Sequence, residues 1–318
     1  MKKIVFIILL SIICIGSAYS QFDAQYSQYM LNQSAFNPAA VGESGMIDVI
    51  GRHRLQWIGM PNGGQTTNFC INSPMKIGKS KHGLGVSLYN DRVGLFSNQG
   101  AHLQYAYKQK IGKGILSIGP EIGFISLGFS GDSVQTHPIT LGEYHDLTSD
   151  GDIPQGAVSG MSFDLGVGAW YSTSKSYIGV SYKHLNQPKV NWGETTGFRL
   201  NGLMFFTGGS SINIADSKIV IKPSTLFKTD FTTWQIDLTG KMEYDNKYWG
   251  GLSYRFQDAV VFFGGINIAG GLSVGYSYDL PASQILTVSS GSHEIVLAYS
   301  FAYVFGKKST KYKSIRIL

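Results

Sequence analysis

From about Gly45 onward the chain falls into runs that alternate apolar and polar positions, separated by polar turns. The last run, from His293 to Phe305, is the clearest. Ile295, Leu297, Tyr299, Phe301, Tyr303 and Phe305 project to one side, and Glu294, Val296, Ala298, Ser300, Ala302 and Val304 to the other. A period of two with one greasy face is a β-strand. Leu116, Ile118, Ile122 and Phe124 oppose Ser117, Gly119, Glu121 and Gly123 in the same way, and Trp234, Ile236, Leu238, Met242 and Tyr244 oppose Gln235, Asp237, Thr239, Lys241 and Glu243. A soluble sandwich would also alternate, but its solvent face would carry more Lys, Glu and Thr. Here the second face is Gly, Ser and isolated charges, which suits a packed lumen. The fold expected is all-β: a transmembrane outer-membrane β-barrel of about 14 antiparallel strands, an even number as single-chain bacterial barrels require.

The strands are expected to start near residues 45, 65, 83, 98, 114, 158, 175, 197, 217, 233, 246, 258, 270 and 293. Every second connection should then be a short periplasmic turn. Lys110 to Gly114, Ser172 to Ser176, Ala215 to Lys218, Asp245-Asn246 and Ala269 to Gly271 fit that side. Trp57 to Gly64, Asp91 to Asn98, Ser130 to Ala157, Asn186 to Thr196 and Leu280 to Ser292 are longer and fall outside, while Ser73 to His82 is a longish turn on the periplasmic side. Both termini are expected in the periplasm.

The two ends of the chain read differently from the middle. Residues 1–20 form a signal peptide: Lys2 and Lys3, an apolar core from Ile4 to Ile15, and Ala18-Tyr19-Ser20 as a small-x-small cleavage site. Ile15 after Cys14, where a small residue is usual, argues against a lipoprotein. Residues 21–44 are not strand-like, yet Tyr26, Tyr29, Met30, Leu31, Phe36, Pro38 and Val41 make them too apolar for a solvated linker. Two placements are open, a surface segment on the barrel rim or a plug inside the lumen. The barrel body is expected over 45–305 and a basic tail over 306–318.

Charge sharpens the picture of the tail. Of 26 Lys and Arg, Lys2 and Lys3 belong to the signal and Lys307, Lys308, Lys311, Lys313 and Arg316 to the tail; removing these seven leaves 19 against 20 Asp and Glu. The basic excess therefore sits in the tail, a candidate partner-binding surface or a contact with acidic lipid headgroups. It lacks the basic patch with stacking aromatics that nucleic acid requires. Without the signal only Cys70 remains, so no intramolecular disulfide can form.

A search for chemistry finds no enzyme. The Gly pairs lie on strands rather than at strand-to-helix turns, so no phosphate loop is present, and no Cys/His set has metal spacing. The most polar cluster, His137, Glu143, His145, Asp146, Asp150 and Asp152, lies in one long outer connection and reads as a solvated loop. His53, His82, His102 and His184 are scattered. The inward charges Glu121, Asp164, Asp237, Lys241, Glu243 and Arg255 either pair to close the pore or line a water channel. No catalytic residue, cofactor or metal is expected.

Six blocks in order across the mature chain resemble the PorP/SprF family of outer-membrane proteins associated with the type IX secretion system. They are Gln28-Tyr29-Met30 with Phe36-Asn37-Pro38-Ala39; Arg54-Leu55-Gln56-Trp57 with Gly59 and Thr66-Thr67; Gly83-Leu84-Gly85 with Asp91 and Gly94; Trp249-Gly250-Gly251-Leu252-Ser253-Tyr254-Arg255; Gly275-Tyr276-Ser277-Tyr278-Asp279; and Gly291-Ser292-His293-Glu294-Ile295. The stretch from Ser130 to Thr196 matches least. The resemblance implies a non-enzymatic barrel that helps specific large secreted proteins, of the gliding-adhesin type, to reach and stay on the cell surface. It also implies partners: the C-terminal domain of the cargo, and a periplasmic peptidoglycan-associated lipoprotein or subunits of the secretion machinery. The rival reading is a plugged uptake barrel for hydrophobic or other small substrates, and a barrel enzyme using the outer loop is the third.

Overall fold

The computed structural model describes residues 23–131, 156–192 and 197–302. The signal peptide, the basic tail with Lys307, Lys308, Lys311, Lys313 and Arg316, and the polar outer loop from His137 to Asp152 lie outside these residues. Fourteen antiparallel strands close into a barrel: β1 Ile47–Leu55, β2 Gln65–Ile77, β3 Ser80–Val93, β4 Phe96–Ile111, β5 Gly114–Ser130, β6 Ala157–Ser172, β7 Ser176–Lys183, β8 Leu203–Ser210, β9 Ile219–Thr229, β10 Trp234–Tyr244, β11 Tyr248–Arg255, β12 Ala259–Ile268, β13 Leu272–Pro281 and β14 Ser292–Phe301. Each pairs with its neighbours in sequence. β14 returns to β1, with Ile47 opposite Phe301 and Leu55 opposite His293, so no edge is left open. Among the described residues no helix is long and apolar enough to cross a membrane; the strands do the crossing.

The alternation places side chains as the sequence pattern requires. Leu103, Ile118, Phe124, Leu238, Leu252, Tyr276, Ile295 and Leu297 are exposed on the outer wall, while Glu121, Asp164, Asp237, Arg255, Ser277 and Glu294 are buried inside. An outer belt this apolar is stable only against hydrocarbon. The inner face is less uniform than the pattern suggests. Trp170, Trp249, Phe205 and Phe263 also point inward and are buried, because the lumen holds a segment of the chain itself against which they pack.

What it holds is the segment before β1. From Asp23 to Ser44 the chain forms three short 3-10 turns, Tyr29–Leu31, Gln33–Ala35 and Pro38–Ala40, and threads the barrel. Ser27 contacts β13 and β14 near one mouth, Tyr29 meets β9 at Ser224, Asn37 meets β6 and β7, and Glu43 reaches Lys108 near the other mouth. The wall makes room with glycine: a Cβ at Gly83 would run into the Val41 carbonyl, and one at Gly168 into the Asn37 side chain. Asp23 therefore lies at the mouth opposite Ala302, which follows β14 beside the start of β1. The expectation that both ends share one side does not hold for these described ends, because the segment uses its length to cross the lumen.

Three further expectations need correction. The turn expected from Ser73 to His82 is only Gly78-Lys79, since β2 continues through Pro74 to Ile77. Pro74 fits there because β1 pairs with β2 only as far as Asn72, leaving that side of Pro74 unpaired, and Gly78 at φ +59° makes the tight turn. Likewise Asp91 to Asn98 shrinks to Gly94-Leu95, with Gly94 at φ +62°. A strand does start at 197, but Gly197–Arg199 pairs with Lys189–Asn191 as a separate hairpin, and the barrel strand starts at Leu203. That hairpin folds inward, with Val190 and Trp192 packing on Ile125 and Leu127 and the Trp192 indole donating to the Leu127 carbonyl at 3.0 Å. Replacing Leu238, outward near the middle of β10, by arginine should cost about 2–4 kcal/mol of folding stability in a bilayer. Urea titration of refolding into lipid vesicles measures it.

Candidate functional site

Residues 26–41 have few regular hydrogen bonds of their own, so buried N–H and C=O groups there need partners from the wall. The strands supply them through a buried cluster of charges. Glu294 on β14 accepts the backbone N–H groups of Ser27 and Gln28, each at 2.9 Å. Arg52 on β1 donates to the Gln28 carbonyl at 3.2 Å and lies 3.6 Å from Glu294. Two residues on, and so on the same face of β1, Arg54 donates to Ser27 Oγ and pairs with Asp279 at 2.8 Å. Ser27 Oγ in turn donates to Asp279 at 2.7 Å. Arg255 on β11 joins Asp279 at 2.9 Å to Asp237 at 3.1 Å. Every one of these side chains is almost wholly buried. The cluster is a clamp on the segment, with each ion partnered by charge and hydrogen bond as burial demands.

A second group holds the other wall. Asp164 on β6 is bridged by His102, whose Nε2 lies 2.9 Å away, and by His184, whose Nδ1 lies 2.9 Å away. His184 Nε2 faces Asp23 at 3.1 Å. Only the imidazolium can donate to both carboxylates. Burial works against that charge, yet Asp23 and Asp164 raise the His184 pKa to about 9. Burial likewise pushes the Asp23 carboxyl up, but His184 holds it well below the usual range. Nearby, Gln104 donates to Glu121 and to the Ser34 carbonyl, and Lys183 lies 3.9 Å from Glu121. A third, smaller group at the opposite mouth joins Lys241 and Lys222 to Glu243 at 2.8 and 2.7 Å, with the Lys241 ammonium over the Trp249 ring at 4.9 Å.

The inward charges Glu121, Asp164, Asp237, Lys241 and Glu243 thus divide among three separate clusters rather than one. Of the residues carrying the family blocks, Gln28, Arg54, Arg255 and Glu294 meet in the clamp. Tyr29 is buried beside it. Asn37 caps the Pro38–Ala40 turn through Ala39 N–H at 3.0 Å and donates to the Ala169 and Val180 carbonyls, both at 3.2 Å. His293 stands apart on the outer surface, 2.5 Å from the Tyr276 hydroxyl. Gln56 and Trp57 are elsewhere again, at the mouth carrying the long connections, in the wall of a vestibule of about 640 Å³ floored by Asp23, Ala24 and Gln25.

Sequence reasoning passed over Arg52, Ser27 and Asp23, and read His102 and His184 as scattered structural residues rather than as a pair flanking Asp164. Arg52 was findable, since it shares the face of Arg54 two residues away. The histidine pair was not, because His102 and His184 come from distant strands. Among the described residues His102, Glu121 and Asp164 are close enough to hold a metal ion, with ligand atoms within 4.8 Å. The His102–Asp164 hydrogen bond already satisfies two of them, and the Lys183 cation beside Glu121 opposes another cation, so the group is read as structural.

A model of the family described as "Type IX secretion system membrane protein PorP/SprF" matches residues 18–299. No curated protein matches the chain. Among solved structures, the CymD monoaromatic hydrocarbon channel is similar with 13% identity over 90% of this chain and 95% of that one, at a TM-score of 0.48. The translocator domain of the autotransporter NalP from Neisseria meningitidis has 11% identity over 87% and 96%, at 0.44. The toluene transporter TodX of P. putida has 10% over 86% and 95%, at 0.43.

Two outcomes are expected. Arg54→Met leaves Asp279 short of a partner and should cost about 3–5 kcal/mol, read as a lower unfolding temperature and as protease cleavage within residues 23–44. His184, with its pKa raised above the ordinary 6.5 to about 9, contributes stability fully present below about pH 6.5 and lost as pH rises through 9. The unfolding midpoint should fall across that window in the wild type and stay flat in His184→Gln.

Proposed function

Because the chain belongs to the PorP/SprF family of type IX secretion system membrane proteins, we propose that it is a non-enzymatic outer-membrane platform for secreting and anchoring specific large cargo proteins. The observation that carries this reading is the clamped segment. A barrel whose middle is filled by its own chain, pinned through buried ion pairs to β1, β11, β13 and β14, is built to stay shut and present its ends. Long connections of such barrels face outward. On that basis the mouth with Trp57 and the inward hairpin faces outside, where it meets the cargo's C-terminal domain. The other mouth, with Ala302 and the tail beyond it, faces the periplasm. There a peptidoglycan-associated lipoprotein or machinery subunit contacts the cations Lys307, Lys308, Lys311, Lys313 and Arg316, while the apolar belt contacts outer-membrane lipid.

The vestibule lends some support to the rival, a plugged uptake barrel. Beneath it, however, the cavity lined by Tyr26, Phe36 and Phe205 is only about 30 Å³, too small for a substrate. In a strain lacking this protein one specific cargo should vanish from the cell surface, as judged by protease shaving and immunofluorescence, and return on complementation. Unchanged display would refute the platform reading. A tagged barrel ending at Phe305 should lose its periplasmic partner from pull-downs; if it keeps the partner, the tail serves lipid instead.

A further inference from the structure

The near-neutral barrel body hides a charge asymmetry. At the mouth where Glu43 leaves the lumen, the ends of the β2–β3, β4–β5 and β6–β7 hairpins carry Lys76, Lys79, Lys81, Lys110, Lys113 and Lys175. Residues 73–82, 107–117 and 171–177 contain no Asp or Glu. All six lysines are exposed, and none of their ammonium groups has an ion-pair partner among the described residues. Elsewhere on this mouth the turns supply their own acids: Lys218 pairs with Asp245 at 3.0 Å, and Lys222 and Lys241 share Glu243.

The register makes the crowding specific. Lys76 stands opposite Lys81, and Lys81 opposite Lys108, a row of like charges on one face with neighbours about 5 Å apart. Like charges so placed are destabilising unless an anion joins them. The row lies on the inner face. Gly83, two residues beyond Lys81, abuts Val41, and Gln104, four residues before Lys108, donates to the Ser34 carbonyl. Ile77, Tyr107 and Ile111 hold the outer face of the same hairpins and are exposed. Lipid therefore meets the apolar side, and the cations look across the mouth. β1 pairs with β2 only as far as Asn72, so the β2–β3 hairpin runs on five residues, roughly 16 Å, past its neighbour. One anion is already in place. Glu43, from the chain's own segment, takes Lys108 at the end of the row at 2.9 Å. It shows what this face accepts, a carboxylate carried on a polypeptide, and it leaves Lys81, Lys76 and Lys110 unanswered.

We propose that the inner face of the β2–β3 and β4–β5 hairpins is a docking site for an acidic polypeptide segment of a partner protein, whose Asp and Glu side chains continue the row that Glu43 begins. A single exposed ion pair is weak, so a lone small anion would not stay. Several carboxylates on one chain act together. Lipid headgroups, the other anions at this level, lie on the apolar side of the hairpins. The site is separate from the tail beyond Phe305. That it faces the periplasm rests on the platform reading; that it binds an acidic chain does not, so the two fail separately.

The test uses the full purified barrel in phosphatidylcholine nanodiscs at low salt. The probe is a fluorescein-labelled peptide of alternating Glu and Ser, followed by fluorescence anisotropy and compared with its Gln-Ser counterpart. The Glu peptide should bind at least about tenfold tighter than the Gln peptide, and high salt should remove the difference. The triple variant Lys76→Gln, Lys81→Gln, Lys110→Gln should bind the Glu peptide about tenfold or more weakly. Because the tail is also basic, the comparison is repeated with its five cations changed to Gln, and the same loss is expected there. Equal binding of the two peptides overturns the proposal. So does wild-type affinity in the triple variant, or binding that vanishes with the tail cations alone. Native mass spectrometry after addition of phosphatidylglycerol tests the other occupant: retention of that lipid by the wild type and not by the triple variant assigns the cations to headgroups and also overturns it. Should the triple variant fail to fold, Lys81→Gln alone, in the middle of the row, decides, with about threefold weaker binding expected and wild-type affinity counting against the site.

Discussion

Closing strands into a ring satisfies every edge but creates an interior that has to be filled. In this protein the filling is a segment of its own chain, and that segment has little secondary structure to satisfy its backbone. Glu294 answers the problem at its sharpest point by accepting two consecutive N–H groups, Ser27 and Gln28. A carboxylate buried for that purpose needs a cation, and Arg52 provides it from the adjacent strand β1, while Arg54 on the same face binds Ser27 Oγ. Arg54 in turn draws in Asp279, Asp279 draws in Arg255, and Arg255 draws in Asp237. The buried ion cluster is thus a chain of obligations that starts with unpaired backbone donors.

The same logic shapes the rest of the lumen. Where the segment's backbone touches the wall, the wall is glycine, as at Gly83 and Gly168. Where its side chains touch, the wall is aromatic: Phe36 stacks on Phe205 at 5.7 Å, and Trp170 stacks on Tyr177 at 4.7 Å beside Ala39 and Ala40. A barrel built this way has a wall and a filling that depend on each other. On the platform reading proposed above, its function belongs to its two mouths, with the vestibule and inward hairpin at one and the end of β14 at the other. That division agrees with membership of a secretion-system family better than with a conduit through the middle.

Much of the barrel was legible because a strand with one face to lipid has a two-residue period whose second face carries Gly, Ser and isolated charges rather than the Lys, Glu and Thr of a solvated sheet. Leu238, Leu252, Ile295 and Leu297 announce the outer wall without reference to any partner. Strand ends were less legible. The turn expected from Ser73 to His82 is only two residues, and Gly197 opens a hairpin rather than a barrel strand, since local residue preferences do not reveal which pairing wins. The site was visible only in pieces: Gln28, Arg54, Arg255 and Glu294 stood out in separate blocks spread over most of the chain.

The sequence alone determined the class of fold, the outward apolar belt and the family, because these rest on periodicity and on blocks of neighbouring residues. Tertiary structure decided the rest. It placed residues 23–44 inside the ring, joined Arg52, Arg54, Asp279, Arg255 and Glu294 into a clamp, and set Asp164 between His102 and His184. Each of these depends on which residues curve round to meet across a closed wall, a distance in space that separation along the chain does not encode.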